Sequence, residues 1–389
     1  MTEKRYMTDE SYMQRCLDLA SHARCHVAPN PMVGAVVVWN GQIIGEGFHS
    51  CAGKSHAEVE AVNAVKNKEL LKESTLYVSL EPCCHYGKTP PCTELIIRHH
   101  IPKIVVGCTD PNPQVGGKGI ARLLSAGCEV KVGVLEAECR ELNRRFFTYQ
   151  SLKRPYILLK WAQTADGFMD VERDDNSNNE GFGMSKASVD ASVSQSDAPG
   201  CTQMRNNWIT NEALQLKVHQ WRAEECAIWI GANTLLHDNP QLNVRYCAGR
   251  QPLRLMHCSH LPENYSQYHF FDHSQPSWVF NAERQGEEPN LRFVRIEGLE
   301  TVRGIVSPET LRQMLQALFE RQITSVMVEG GRCTLQSFIQ SGLWDEARVL
   351  VGSQQWKKGL EAPSLAPSQP LSVETVADNQ VFYYRNVKT

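Results

Sequence analysis

The chain has 389 residues, 42% of them hydrophobic and 21% charged, with a formal net charge of −3. That length suggests two or three domains rather than one, and the slight acidity argues against a scaffold that tracks a phosphate backbone while leaving room for a local basic pocket. The chain carries 14 cysteines, opens Met1-Thr2-Glu3-Lys4-Arg5-Tyr6 without an apolar signal segment and has no run of membrane-spanning length, so it predicts a reducing cytoplasmic setting with thiols as small core residues or metal ligands.

Thr8-Asp9-Glu10 is a helix start, with Met13, Leu17, Ala20 and Ala23 at helical spacing until Pro29-Asn30-Pro31 stops it. Val33 to Val38 reads as a strand, Asn40-Gly41 as a tight turn and Ile43-Ile44 as the returning strand. A helix is expected near His56, a strand over Leu76 to Leu80, and a helix after Cys92. Strands over Ile104 to Gly107 and Val130 to Val134 enclose a short helix, Gly119 to Ala126, and one helix is predicted from Leu135 to Tyr149. Alternating strands and helices imply an α/β sheet covered by helices.

Arg154-Pro155 marks a boundary, and the pattern restarts at Tyr156 to Trp161. Residues 171–205 are polar, aperiodic and rich in Asn, Ser and Asp, so they read as an exposed insertion. Order resumes at Trp208-Ile209-Thr210 with a helix to Ala223. Strands are then expected over Cys226 to Gly231, Leu253 to Met256, Ser277 to Phe280 and Ser325 to Val328, with a helix over Pro308 to Arg321. No internal repeat is present, and the sequence after residue 360 carries no clear signal.

His56-Ala57-Glu58, then Pro82-Cys83 and Cys92, supply one imidazole, two thiols and a nearby carboxylate. One His and two Cys can hold Zn²⁺ with a fourth position left for water. Such a water ionises near neutral pH, and a neighbouring Glu can carry its protons. The pattern is a variant of the zinc-deaminase signature H-x-E followed by P-C-x-x-C, with a longer gap between the cysteines. His56 and Glu58 cannot share a face in mid-helix, but at a helix start His56 falls outside the register and both can face one metal. A purely structural zinc site would want four protein ligands. Cys84 and His85 are rival ligands that spacing leaves open.

Asn30-Pro31-Met32-Val33-Gly34, Gly45-Glu46-Gly47-Phe48-His49, the His56 motif, and Glu81-Pro82-Cys83-Cys84-His85-Tyr86-Gly87-Lys88-Thr89-Pro90-Pro91-Cys92 resemble the bifunctional riboflavin-biosynthesis deaminase/reductase family. Asp110 to Val115 and Gly119 fit the same pattern. The resemblance implies a cytidine-deaminase-like α/β/α domain over residues 1–150, with His56, Cys83 and Cys92 as zinc ligands and Glu58 as the catalytic proton shuttle. It also places Asn30, His49 and Lys88 at the substrate, and a lysine suits a sugar phosphate.

The second half has no G-x-G-x-x-G after a strand, so it is not an ordinary Rossmann domain. Its best local signal is Val328-Glu329-Gly330-Gly331, a strand opening into a helix near Thr334. Two glycines there allow close backbone approach, and the helix N-terminus favours phosphate; an ordinary β-α turn is the plainer reading. Leu159 to Gly167, Asn207 to Thr210, Trp221-Arg222-Ala223, Gly231 to Thr234 and Asp238 to Arg245 resemble the reductase half of the same family. That resemblance implies a dihydrofolate-reductase-like α/β domain over 151–389 that uses NADPH. It implies Ala162, Trp208, Thr234, Asp238 and the 331–337 turn, Gly331 included, at the nucleotide, and Asn206, Arg222, Leu242, Arg245 and Glu329 at the substrate. The insertion lengthens a connection that is short in the family, and Asn206 stands where the family has Ser.

The expectation is therefore a cytoplasmic bifunctional enzyme that uses Zn²⁺ and NADPH on a small pyrimidine ribosyl phosphate. It would deaminate 2,5-diamino-6-ribosylamino-4(3H)-pyrimidinone 5′-phosphate and then reduce the ribosyl chain to ribityl. Neither nucleic acid nor membrane is an expected partner, and a homo-oligomer is left open. The competing readings are a deaminase of a tRNA base, a zinc-stabilised binding protein without turnover, and a live deaminase with a degenerate reductase half.

Overall fold

The computed structural model describes residues 8–86, 90–113, 115–171, 208–365 and 367–386. The predicted insertion, 171–205, lies outside them apart from Val171, as do Lys88 and Asn206. In chain order the first half runs α1 (Asp9–Ser21), β1 (Gly34–Trp39), β2 (Gln42–Phe48), α2 (Ala57–Ala64), β3 (Thr75–Leu80), α3 (Cys92–Arg98), β4 (Lys103–Cys108), α4 (Lys118–Ser125) and β5 (Glu129–Val132). Its sheet has the order β2-β1-β3-β4-β5, antiparallel from β2 to β3 and parallel beyond.

Thr8 starts α1 by accepting the Ser11 N–H on its hydroxyl, with Asp9 and Glu10 in the first turn where acids complement the helix dipole. Met13, Cys16, Leu17 and Ala20 then pack on one face of the sheet, each larger apolar side chain contributing roughly 1.5–3 kcal/mol of burial. Helix and strand touch so closely that a Cβ on Gly34 would lie 2.0 Å from the Cys16 carbonyl oxygen. Ala57, Ala61, Val62, Ile96 and Leu123 cover the opposite face from α2, α3 and α4, giving three layers.

The helix predicted from Leu135 to Tyr149 is two helices, α5 (Glu136–Leu142) and α6 (Arg144–Leu152). They break at Asn143, whose buried amide accepts from the Met32 N–H at 2.8 Å and donates to the Met32 carbonyl at 2.8 Å. A side chain thus imitates a strand neighbour for the Asn30-Pro31-Met32 segment, a long-range demand that helical periodicity does not reveal.

The second half continues with β6 (Tyr156–Gln163), β7 (Phe168–Asp170), α7 (Glu212–Glu224), β8 (Ala227–Gly231), α8 (Ala232–Asp238), β9 (Leu253–His257), β10 (Ser277–Asn281), β11 (Gly286–Glu288) and β12 (Leu291–Arg295). Next come the short pair β13 (Thr301–Val302) and β14 (Ile305–Val306), then α9 (Pro308–Glu320), β15 (Ser325–Val328), α10 (Arg332–Ser341), β16 (Glu346–Val351), β17 (Leu360–Glu361), β18 (Ser372–Val376) and β19 (Asn379–Arg385). The large sheet has the order β11-β12-β10-β9-β8-β15-β6-β16-β19-β18 and is parallel from β12 to β16. Apolar clusters fill both faces, as a parallel sheet requires. The stretch after residue 360, silent in sequence, supplies its antiparallel edge.

The two halves meet where the parallel strands begin. Arg145 on α6 grips the fully buried carboxylate of Glu225, just before β8. Tyr149 donates to the Phe319 carbonyl at 2.9 Å, and Arg144 reaches Glu346 at 3.2 Å. The carboxyl ends of β6, β8 and β15 point the other way. No helix among the described residues is long and apolar enough to cross a membrane.

Candidate functional site

Two strand-to-helix junctions build the first site. His56 is the extended N-cap of α2 (φ −73°, ψ 161°), so its ring escapes the helical register while Glu58 lies in the first turn. Cys83 follows β3, and Cys92 opens α3 behind Pro91. The Cys83 carbonyl accepts from the Thr93 N–H at 3.2 Å and its Sγ from the Cys92 N–H at 3.3 Å, fixing the second junction from both sides.

His56 Nδ1 lies 3.5 Å from Cys83 Sγ and 3.3 Å from Cys92 Sγ, and the three ligand atoms fall within 4.8 Å of one another. Tetrahedral zinc with ordinary Zn–S and Zn–N bonds would separate such an N and S by about 3.6 Å, so donor set and spacing both fit the ion. Among the described residues, Cys84 and His85 do not enter this group. Hydrogen bonding to Cys92, and then to His56, holds the Cys83 thiol down to about 4 against the effect of burial. The contact with Cys83 pushes His56 up to about 9. A proton held this way is what a metal cation displaces. Glu58 is 3% exposed, and burial first, then the Cys83 charge, raises its carboxyl to about 7.

His49 stands beside this group, its ring centroid 5.4 Å from that of His56. Its Nδ1 faces the Ser55 carbonyl at 2.9 Å and therefore carries the proton; Nε2 then accepts from Asn30 Nδ2 at 2.9 Å. Burial lowers the pKa of this imidazole, and the arrangement leaves Asn30 Oδ1 as an acceptor.

A second constellation lies at the carboxyl ends of β6, β8 and β15. Arg222 from α7 meets Glu329 in two bonds, Nε–Oε1 at 2.6 Å and Nη2–Oε2 at 2.9 Å, and donates from Nη1 to the Asn243 carbonyl at 3.1 Å. Lys160 reaches Glu329 at 3.4 Å. Sequence reasoning passed over Lys160, although a lysine inside the apolar run Tyr156 to Trp161 was a usable signal. Arg245 bonds Asn243 Oδ1 at 3.0 Å and stacks over Tyr246. Burial, then Arg222 and Arg245, lowers His219 to about 4, so it accepts the Arg245 N–H as a neutral ring.

Gly231 and Gly331 are the N-caps of α8 and α10, and neither helix has a side-chain cap. The two helix N-termini at the ends of β8 and β15 lack side-chain caps, and such N-termini are of the kind that favour phosphate groups, which is compatible with a dinucleotide phosphate cofactor. Thr234 Oγ1 accepts the Gly331 N–H at 2.9 Å, joining the two turns. Ala162 lies near the end of β6, opposite Leu350, and Asp238 ends α8. Leu242 packs its side chain into the core and gives its carbonyl to Gln275 at 3.0 Å. Trp208 is half exposed, with its carbonyl bonded to Gln354.

Comparison with known proteins places these sites in context. Residues 7–108 match the cytidine and deoxycytidylate deaminase zinc-binding region, and residues 155–354 match the RibD C-terminal domain. The riboflavin biosynthesis protein RibD of Aquifex aeolicus is 38% identical over 92% of this chain and 90% of its own. The Escherichia coli RibD is 32% identical over 98% and 96%. A crystal structure from Thermotoga maritima, described as a diaminohydroxyphosphoribosylaminopyrimidine deaminase/5-amino-6-(5-phosphoribosylamino)uracil reductase, superposes with a TM-score of 0.78 at 32% identity, covering 97% of this chain and 98% of that one.

Proposed function

This chain belongs to the RibD family of riboflavin-biosynthesis enzymes, which join a zinc-binding deaminase region to a reductase domain, and from that premise we propose how its own residues divide the work. Residues 1–150 form the deaminase unit and residues 151–389 the NADPH-dependent reductase unit, acting in turn on one pyrimidine ribosyl phosphate in the cytoplasm.

In the first unit His56, Cys83 and Cys92 hold zinc, which supplies Lewis-acid activation of water. Glu58 takes a proton from the attacking water and delivers one to the departing 2-amino nitrogen, so a C–NH₂ bond is exchanged for a carbonyl and ammonia. Asn30 and His49 hold the substrate beside this group, with Asn30 Oδ1 as acceptor, and Lys88 meets its phosphate. The observation that carries the reading is the convergence of the three ligand atoms with a carboxylate buried beside them yet outside the ligand group.

In the second unit the turns at Gly231 and Gly331, with Thr234, Asp238, Ala162 and Trp208, hold NADPH, which supplies hydride. Asn206, Arg222, Leu242, Arg245 and Glu329 position the ribosyl chain, whose ring-opened C1′=N imine would take hydride at C1′ and a solvent proton at nitrogen to give the ribitylamino product. Glu329 is held far below the usual carboxylate range: burial alone would raise it, but Arg222 and Lys160 outweigh burial. It therefore orients by accepting hydrogen bonds and does not donate the proton.

The test is to supply the purified chain with 2,5-diamino-6-ribosylamino-4(3H)-pyrimidinone 5′-phosphate, with and without NADPH. Ammonia release in both cases, with NADPH consumed only after deamination, is the expected result. Ammonia without NADPH consumption would identify a degenerate reductase half, and no ammonia would defeat the reading.

A further inference from the structure

Glu81 is the residue before Pro82-Cys83, and nothing in the chemistry above uses it. Glu81 is buried, 4% exposed. Among the described residues, four backbone N–H groups donate to its carboxylate. Oε1 accepts from Gly119 at 2.9 Å and Ile120 at 3.1 Å, and Oε2 accepts from Gly117 at 2.9 Å and Asp110 at 3.2 Å. Three of these donors belong to the start of α4, whose own N-cap, Gly117, has no side chain to offer. The fourth is where the chain leaves β4. One carboxylate thus closes both ends of the segment from Asp110 to Gly117 and caps a helix from another element.

The same contact fixes the ligand loop. The Glu81 N–H donates to the Cys108 carbonyl at 3.0 Å, carrying the β3–β4 ladder one residue further. The first turn of α4 then lies against the Pro82 carbonyl so closely that a Cβ on Gly119 would sit 2.1 Å from that oxygen. Cys83 is therefore held between two anchors, the Glu81–α4 clamp on one side and the Thr93 and Cys92 N–H groups on the other.

We propose that Glu81 is a positioning residue of the deaminase site, acting through the α4 N-terminus and Gly119 to set Cys83 at ligand distance from His56. This rests on the zinc-deaminase reading above. Glutamine at this position keeps one acceptor oxygen but turns an NH₂ group toward two N–H donors, so at least two of the four bonds fail. Groups that orient metal ligands typically cost 10- to 100-fold in metal affinity or activity when altered.

The experiment uses the full-length chain and three readouts. Zinc affinity is measured by competition with a chromophoric chelator, amide exchange is followed across 110–120, and deamination of the diaminopyrimidine phosphate is assayed. Glu81→Gln is expected to lose about tenfold or more in zinc affinity, to exchange faster at Gly117, Gly119 and Ile120, and to lose deaminase kcat/KM by a similar factor. Its NADPH-dependent turnover of deaminated substrate should be unchanged. Gly119→Ala, a helix-favouring change that keeps Glu81, should lower zinc affinity by forcing Pro82 away. Wild-type zinc affinity in a folded Glu81→Gln chain, or in Gly119→Ala if the first variant does not fold, overturns the proposal. A lowered melting temperature alone, with normal zinc affinity, makes Glu81 merely structural and likewise overturns it. A wild-type chain that binds zinc without deaminating the pyrimidine defeats the functional reading instead, and the affinity and exchange measurements still decide the role of Glu81.

Discussion

Arg222 and Glu329 face each other in a two-pronged ion pair, with contacts of 2.6 and 2.9 Å and side chains only 13% and 8% exposed. The pair spans α7 and the end of β15, and Lys160 from β6 joins it. Three elements of the second site are therefore tied through one carboxylate. Arg222→Lys keeps the charge but loses the planar fork. It should cost about 2 kcal/mol of stability, the scale of a charge-assisted hydrogen bond, and lower the reductase rate with deamination unaffected. Glu329→Gln leaves two part-buried cations without their anion and should cost more, roughly 3 kcal/mol. Urea unfolding at neutral pH ranks the two; a Glu329→Gln chain as stable as wild type would refute the account.

Glu346 on β16 gives a pH signature. Burial would raise its carboxyl, but Arg348, then Arg144 and Arg145, outweigh burial and bring it down to about 2 from an ordinary value near 4.5. The folded value lies below the unfolded one, so the group stabilises the fold above about pH 4.5. That contribution is lost as pH falls from there toward 2. Because Arg144 and Arg145 come from α6, acid should loosen the junction between the halves. Stability measured from pH 5 to pH 3 should fall less steeply in Glu346→Gln than in wild type, from a lower starting value. Parallel curves would exclude Glu346 as a source of the acid limb.

The legible parts of the fold were those that local pattern determines. Val33 to Val38, Leu76 to Leu80 and Ile104 to Gly107 are short apolar runs in a sheet covered on both faces, so burial and sequence coincide. The His56, Cys83 and Cys92 cluster was legible because each residue sits at a strand-to-helix junction that its own neighbours specify. β16 was not, because Glu346 and Arg348 interrupt its apolar pattern, and only their bond at 2.6 Å and the arginines of α6 make those charges tolerable inside. β18 is an edge strand with mostly exposed residues, so it has little periodicity to read. Asn143 and Glu81 depend on partners 111 and 29 to 39 positions away. The family resemblance implied Arg222 and Glu329 separately, and the structure joins them in one ion pair with Lys160.

Glu58 lies in the first turn of α2, buried and apart from the three-ligand group. Glu58→Gln should therefore retain zinc at wild-type stoichiometry while deamination drops by about a hundred-fold or more, the lower scale for losing a general acid/base. Reduction of supplied deaminated substrate by NADPH should survive. Joint loss of both activities in a folded variant would point to one shared site and contradict the two-site geometry.

The ligand assignment has the most direct test. Zinc should bind at about one ion per chain, since a single group of three donors converges among the described residues. Cys92→Ser replaces a thiolate by a hydroxyl that ionises poorly, leaving His56 and Cys83 as the remaining strong donors. Two protein ligands hold a tetrahedral ion poorly, so zinc should be lost to a chelator far more readily and deamination should be abolished, while NADPH oxidation continues with deaminated substrate. Cys84→Ser is the control, because Cys84 does not enter the ligand group; it should keep both zinc and activity. Metal analysis of the dialysed proteins reads the outcome. Full zinc occupancy with full activity in Cys92→Ser, together with loss in Cys84→Ser, would reassign the second thiolate to Cys84.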